Sequence, residues 1–141
     1  MTRLLIIFAV AFVMTSAAIG WMLWAYQLDA TIVDILVFWV SPVPQLLAVA
    51  IVVLSGFGAV AALKRNVGRV RMAAITAVVV GLLGAAYQEL DTHFGTLYDS
   101  EITYATMAPG RLASLAILAL GLFGAVLGLS ILKLRGNARR N

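Results

Sequence analysis

The sequence has no cysteine, which excludes disulfides, thiolate metal sites and cysteine nucleophiles. It has little charge: 11% of its 141 residues are Asp, Glu, Lys or Arg, where a soluble domain carries about 25%. What charge there is avoids the long apolar runs. No Asp, Glu, Lys, Arg or His falls inside a predicted span. Proton pumps and coupled carriers keep such a residue in the bilayer, so this absence argues against a proton-coupled carrier. No Ser-His-Asp arrangement, phosphate loop or other catalytic signature is present, and the chain reads as a non-enzyme that calls for no cofactor.

What is present is apolar sequence in long blocks. Hydrophobic residues make up 63% of the chain, with a mean hydropathy of +1.04. A spanning helix needs about 20 apolar residues, so the blocks predict four transmembrane helices, near 4–26, 45–63, 72–87 and 112–132. The expected fold is an all-α, polytopic membrane protein, one domain over 1–141, with its helices in two hairpins. The first block has no proline and ends in Trp21, Trp24 and Tyr26, as at a membrane interface. A signal peptide, with Arg3 as its basic region and Ser16-Ala17-Ala18 near a cleavage site, is the rival reading. The block is long for that. The connection from Gln27 to Pro44 carries Ile32, Val33, Ile35, Leu36, Phe38 and Trp39, which predicts a short interfacial helix, with Pro42 and Pro44 breaking the chain after it.

Charge placement orients the bundle. Nine of the ten basic residues lie at Arg3, in a 64–71 turn and in the C-terminal tail, while all six acids fall in the other two connections. Only Arg111 breaks the pattern. By the positive-inside rule both termini face the cytoplasm, and the expected location is the inner (cytoplasmic) membrane. The excess of four positive charges thus reads as topology rather than nucleic-acid binding.

Small residues recur four apart: Ser55 and Ala59, Gly58 and Ala62, Ala77 and Gly81, Gly121 and Ala125, Gly124 and Gly128. This spacing puts them on one helix face, where backbones approach closely. Ser55, Ala59, Gly81, Gly121, Gly124 and Gly128 are therefore the candidate packing interface. Packing inside one bundle and packing between copies both satisfy the pattern, and the number of such faces favours a homo-oligomer or a membrane protein partner. Leu46–Leu63 and Leu112–Leu129 agree at nine of eighteen positions, consistent with a parallel internal repeat. Thr15, Ser16, Ser55, Thr76, Ser114 and Ser130 are the hydroxyls near or within the spans, expected to bond to their own helices. Glu89 and His93 share a helix face and are the only candidate metal ligands, with Asp91 pointing away. Two ligands fall short of the three or four that zinc takes.

Residues 81–130 resemble the last two spans of the MotA/TolQ/ExbB proton-channel family, and within it the TolQ branch most. Gly81-Leu82-Leu83-Gly84 resembles the GLLG that opens the family's signature region. Ala108-Pro109-Gly110 resembles the APG before its final span. Leu115, Ala119 and Gly121-Leu122-Phe123 fit the pattern that follows. The resemblance implies an oligomeric helix scaffold around partner helices, with proton flow driving motion. The sequence departs from it where the family has polar residues: Ala85 and Leu118 stand at threonine positions and Leu127 at a proline. The family's large domain between the second and third spans is replaced by the basic turn. The expected function is a non-enzymatic subunit of an oligomeric inner-membrane complex, on that scaffold but without its polar channel residues. A small accessory or assembly subunit of a larger complex, or a holin-like pore former, are the alternatives.

Overall fold

A computed structural model describes residues 2–97 and 103–137. Asp99, Glu101, Arg139 and Arg140, which the charge pattern counts, lie outside the described residues. The described chain is helical, in the order α1 (Thr2–Ala25), a short α2 (Ile32–Asp34) running into a π-turn (Ile35–Trp39), α3 (Pro42–Leu63), α4 (Val67–Thr96) and α5 (Tyr104–Asn137). Four of these, α1, α3, α4 and α5, are long and apolar enough to cross a membrane. The protein is a polytopic membrane protein.

The helix ends differ from the sequence expectation in an orderly way. The expected break before the second span is there, at the extended Val40 and Ser41, but Pro42 and Pro44 lie just inside α3, in its first turn after the N-cap Ser41. The first backbone N–H groups of a helix have no partner in any case, so proline costs nothing there. The basic stretch 64–71 is mostly helix, because α4 starts at Val67, with the Asn66 side chain accepting from the Arg69 amide at 3.1 Å. At its other end α4 runs past Gln88, Glu89 and Asp91 to Thr96. α5 starts at Tyr104 and carries Pro109 within it. At 1.5 Å per residue the 30 and 34 residues of α4 and α5 span about 45 and 51 Å, beyond a hydrocarbon core of about 30 Å. Polarity marks where such a helix leaves the lipid, not where it ends.

α1 and α3 each close with the same backbone device. Leu28 N–H bonds Leu23 O and Gln27 N–H bonds Trp24 O; Asn66 N–H bonds Ala61 O and Arg65 N–H bonds Ala62 O. These pairs form Schellman motifs, which need a left-handed residue after the cap. Glycine is usual there, but Gln27 (φ 51) and Arg65 (φ 58) hold the position here.

α5 is the centre of the bundle. In its most apolar stretch 56% of residues are buried, against 6% for α1, so α5 is walled by protein and α1 chiefly by what surrounds the protein. α3 and α4 pack on α5 and on each other, and α1 packs chiefly on α5, where Phe12 meets Phe123 at 5.8 Å between ring centroids. Without a hydrophobic force between helices in lipid, close packing at small residues must hold them, and here it does. A Cβ built on Gly81 would sit 3.3 Å from Gly121 Cα; one on Gly84 would sit 2.8 Å from Ile117 Cγ2; one on Gly58 would sit 3.3 Å from Ala73 Cβ.

The α1–α3 connection is no free loop. Ile35 and Val40 are buried in the same cluster as Leu112, Ala113 and Ala116. Thr31 caps α2 in a reciprocal capping box with Asp34. The Thr31 hydroxyl, and then its amide, hold the Asp34 carboxyl below the ordinary carboxylate range. Since the folded value is the lower one, this contribution is complete above the ordinary range and is lost as pH falls through the lowered value.

Candidate functional site

The polar residues gather at the end of the bundle opposite the basic turn. Gln88 is almost fully buried, and its Oε1 accepts the Ser41 N–H at 2.9 Å. One helical turn on, Asp91 Oδ2 accepts the Ser41 hydroxyl. The N-cap of α3 is thereby fixed to α4 from two sides. Gln45 Nε2 donates to Val37 O at 2.7 Å, satisfying a carbonyl that the π-turn leaves open. Together these bonds clamp the connecting segment onto the bundle.

A second group lies between α4 and α5. The Ser114 hydroxyl donates to Glu89 Oε2 at 2.8 Å, and Arg111 Nε lies 3.6 Å from Glu89 Oε1. The Arg111 guanidinium also sits 5.6 Å from the Tyr104 ring centroid, within cation–π range. This answers the one exception in the charge pattern: Arg111 is the basic residue among the acids, and it is neutralised by one of them. Both partners are about half exposed, so the pair is worth about 0–1 kcal/mol, and its effect is to lower the charge carried at this edge.

Glu89 and His93 do share a face, both lining a cavity of about 400 Å³ with Leu90, Thr92, Met107 and Arg111. Asp91 points elsewhere, to Ser41. Among the described residues no group of three or more His, Asp or Glu side chains is close enough to hold a metal. The cavity is also lined by the Arg111 guanidinium, which repels a cation. Nor does either serine match a triad, in which an imidazole stands between hydroxyl and carboxylate; each hydroxyl here bonds its carboxylate directly.

Of the six candidate packing residues, five meet neighbours inside this one chain. Gly81 and Gly121 face each other across α4 and α5, Gly124 lies against Ser55 of α3, and Gly128 lies against Gly58 of α3. Ala59 is half-buried. Ser55 also donates to Ile51 O at 2.7 Å and Thr15 to Ala11 O at 2.8 Å, within their own helices. The Ser114 hydroxyl likewise lies 3.2 Å from Gly110 O and Arg111 O of its own helix, and in addition reaches across to α4. Sequence reasoning missed the Ser41–Gln88 clamp. Its trace was a glutamine at the edge of an apolar run and a serine before proline, and only tertiary packing brings the two together. Ala85 and Leu118, apolar where the resembled family is polar, are half-buried, and Leu127 is exposed. Comparison with protein-family models, with curated proteins and with solved structures found no match.

Proposed function

We propose that this chain is a non-enzymatic scaffold subunit of an oligomeric inner-membrane complex, with both termini in the cytoplasm. The observation that carries the reading is where the apolar surface lies. The interior is closed by glycine contacts, while α1 and α3 present Val10, Val13, Trp24, Val49, Val53 and Phe57 outward, faces suited to lipid or to neighbouring subunits. The helix pair that resembles the MotA/TolQ/ExbB family, α4 with α5, is the tightest in the bundle. An oligomer on that scaffold would place partner helices against the outward faces. An assembly subunit of a larger complex uses the same faces, and the chain co-purifying with it separates the two readings.

The test is native mass spectrometry of the full chain extracted in mild detergent. A multiple of the 15.0 kDa chain, or a complex with a second membrane protein, is expected. A bare monomer under every mild condition would sink the proposal.

The isolated chain should conduct no protons. A proton path needs polar side chains or water along it, and the family's positions for such groups hold Ala85 and Leu118. A pH-sensitive dye inside proteoliposomes reads this directly; sustained, protein-dependent acidification under an imposed gradient would restore a channel reading.

Orientation follows from the basic end. In intact cells a membrane-impermeant thiol reagent should label Asp29→Cys and not Asn137→Cys, on a background free of native cysteine. The reverse labelling would invert the topology.

A further inference from the structure

At the basic end of the bundle, the start of α1, the α3–α4 turn and the last turns of α5 enclose a cavity of about 420 Å³. Three of its lining residues are cationic: Arg65, Lys133 and Arg135. None is acidic. The described acids, Asp29, Asp34, Glu89 and Asp91, all lie towards the far end of the helices, and the one salt bridge among the described residues is the distant Arg111–Glu89 pair. Three like charges therefore converge on one space with no counter-ion among the described residues that line it. The bottom of that space is apolar, formed by Leu5, Leu129 and Leu132, the last two buried.

Two details hold the cations in place. Arg135 Nη1 donates to Leu63 O at 2.9 Å, which fixes the guanidinium at the end of α3 and leaves its other N–H groups to bond elsewhere. Arg65 sits in the left-handed backbone conformation that ends α3, a place where glycine would be easier. An arginine there carries its charge to the cavity at some cost in backbone energy.

We propose that this cavity binds the phosphate of an anionic phospholipid, with the acyl chains lying against Leu5, Leu129 and Leu132. Arginine forks match phosphate oxygens two at a time, and basic pockets between transmembrane helices on the cytoplasmic side are suited to anionic headgroups. Free phosphate shares the headgroup chemistry, but it makes no use of a leucine floor. A zwitterionic lipid fits the floor but brings its own cation among three others.

The test uses the full chain in a non-ionic detergent, titrated with phosphatidylglycerol or phosphatidylcholine and read by native mass spectrometry. Retention of phosphatidylglycerol in preference to phosphatidylcholine is expected. Arg65→Gln and Lys133→Gln should each weaken that retention about fivefold. Neither removes a hydrogen bond that closes a helix, and glutamine already occupies the matching left-handed position at Gln27, so both variants should fold; thermal melting checks this. Lys64→Gln and Arg69→Gln, at the same end but not lining the cavity, should leave retention unchanged. Millimolar inorganic phosphate should not displace the lipid. Equal retention of the two lipids would overturn the proposal, as would equal loss in the Lys64 and Arg69 variants, which would mean diffuse surface charge. Displacement by inorganic phosphate would overturn the lipid assignment and leave a simple anion site.

Discussion

Gly121→Ala should destabilise the bundle more than Gly124→Ala, Gly128→Ala or Gly56→Ala. A Cβ at this position would lie 2.6 Å from Ala77 O and 3.2 Å from Gly81 Cα. Both are backbone atoms of α4, so no side chain can swing aside. α4 would have to retreat, loosening the neighbouring contact of Gly84 with Ile117 as well. Overpacking of this kind costs about 1–3 kcal/mol and sometimes more, and a rigid backbone contact belongs at the upper end. The other glycines give a graded series. Gly124→Ala would strike the Ser55 hydroxyl, which can rotate away at the cost of its bond to Ile51 O, and would still lie 2.9 Å from Ser55 Cβ, a smaller clash than one with backbone. Gly128→Ala would meet nothing closer than 3.7 Å, an ordinary contact, and Gly56→Ala would meet nothing within 4 Å. Equilibrium unfolding in mixed micelles should rank the variants 121, 124, 128, 56, from most to least damaging. If Gly121→Ala proves as stable as Gly56→Ala, the α4–α5 contact is wrong as described.

Gln88→Leu should release the α1–α3 connection without dissolving the bundle. The substitution keeps an apolar side chain of similar size in a buried place but removes the acceptor of the Ser41 N–H. A buried donor left unpaired costs about 1–3 kcal/mol. The loss falls on the segment that Ser41 anchors, because the Gly81–Gly121 approach of α4 and α5 does not depend on that bond. Hydrogen exchange should therefore quicken across residues 31–41 by one to two orders of magnitude, about what that energy implies, while the centres of α4 and α5 stay protected. Gln88→Glu puts a carboxyl oxygen where the amide oxygen accepts and should keep most of the protection. Unchanged exchange in Gln88→Leu would mean that Asp91 alone holds the junction.

The four spans were legible because lipid leaves a coarse signature: apolar blocks of sufficient length, with Trp21 and Trp24 at an edge. The glycine and serine spacing pointed to packing faces for a similar reason, since small residues four apart serve little else in a membrane helix. What spacing alone leaves open is whose backbone fills each face; Gly121 reads the same whether it meets α4 or a second copy. The helix ends are less legible, because charge marks where a helix leaves the lipid and not where it stops. Glu89 and Asp91 are good citizens of a helix that has merely left the hydrocarbon, and Pro109 is tolerated near the start of another. The contacts of Gln88 with Ser41, and of Glu89 with Ser114, join residues far apart in sequence, and no local pattern encodes them.

The dependence of α1 on α5 also sets the order in which the molecule can be completed. During synthesis the N-terminal parts of a chain emerge first, so α1 reaches the bilayer well before the helix it leans on. α3 and α4, joined by a turn of three residues, can pair as soon as both are made, but α1 must wait beside them with its Phe12 face against lipid until Phe123 arrives. Of the four long helices the first to be inserted is thus the last to be docked, and until then any nascent or truncated chain ending before α5 offers α1 as an unclaimed helix to whatever membrane protein lies nearby.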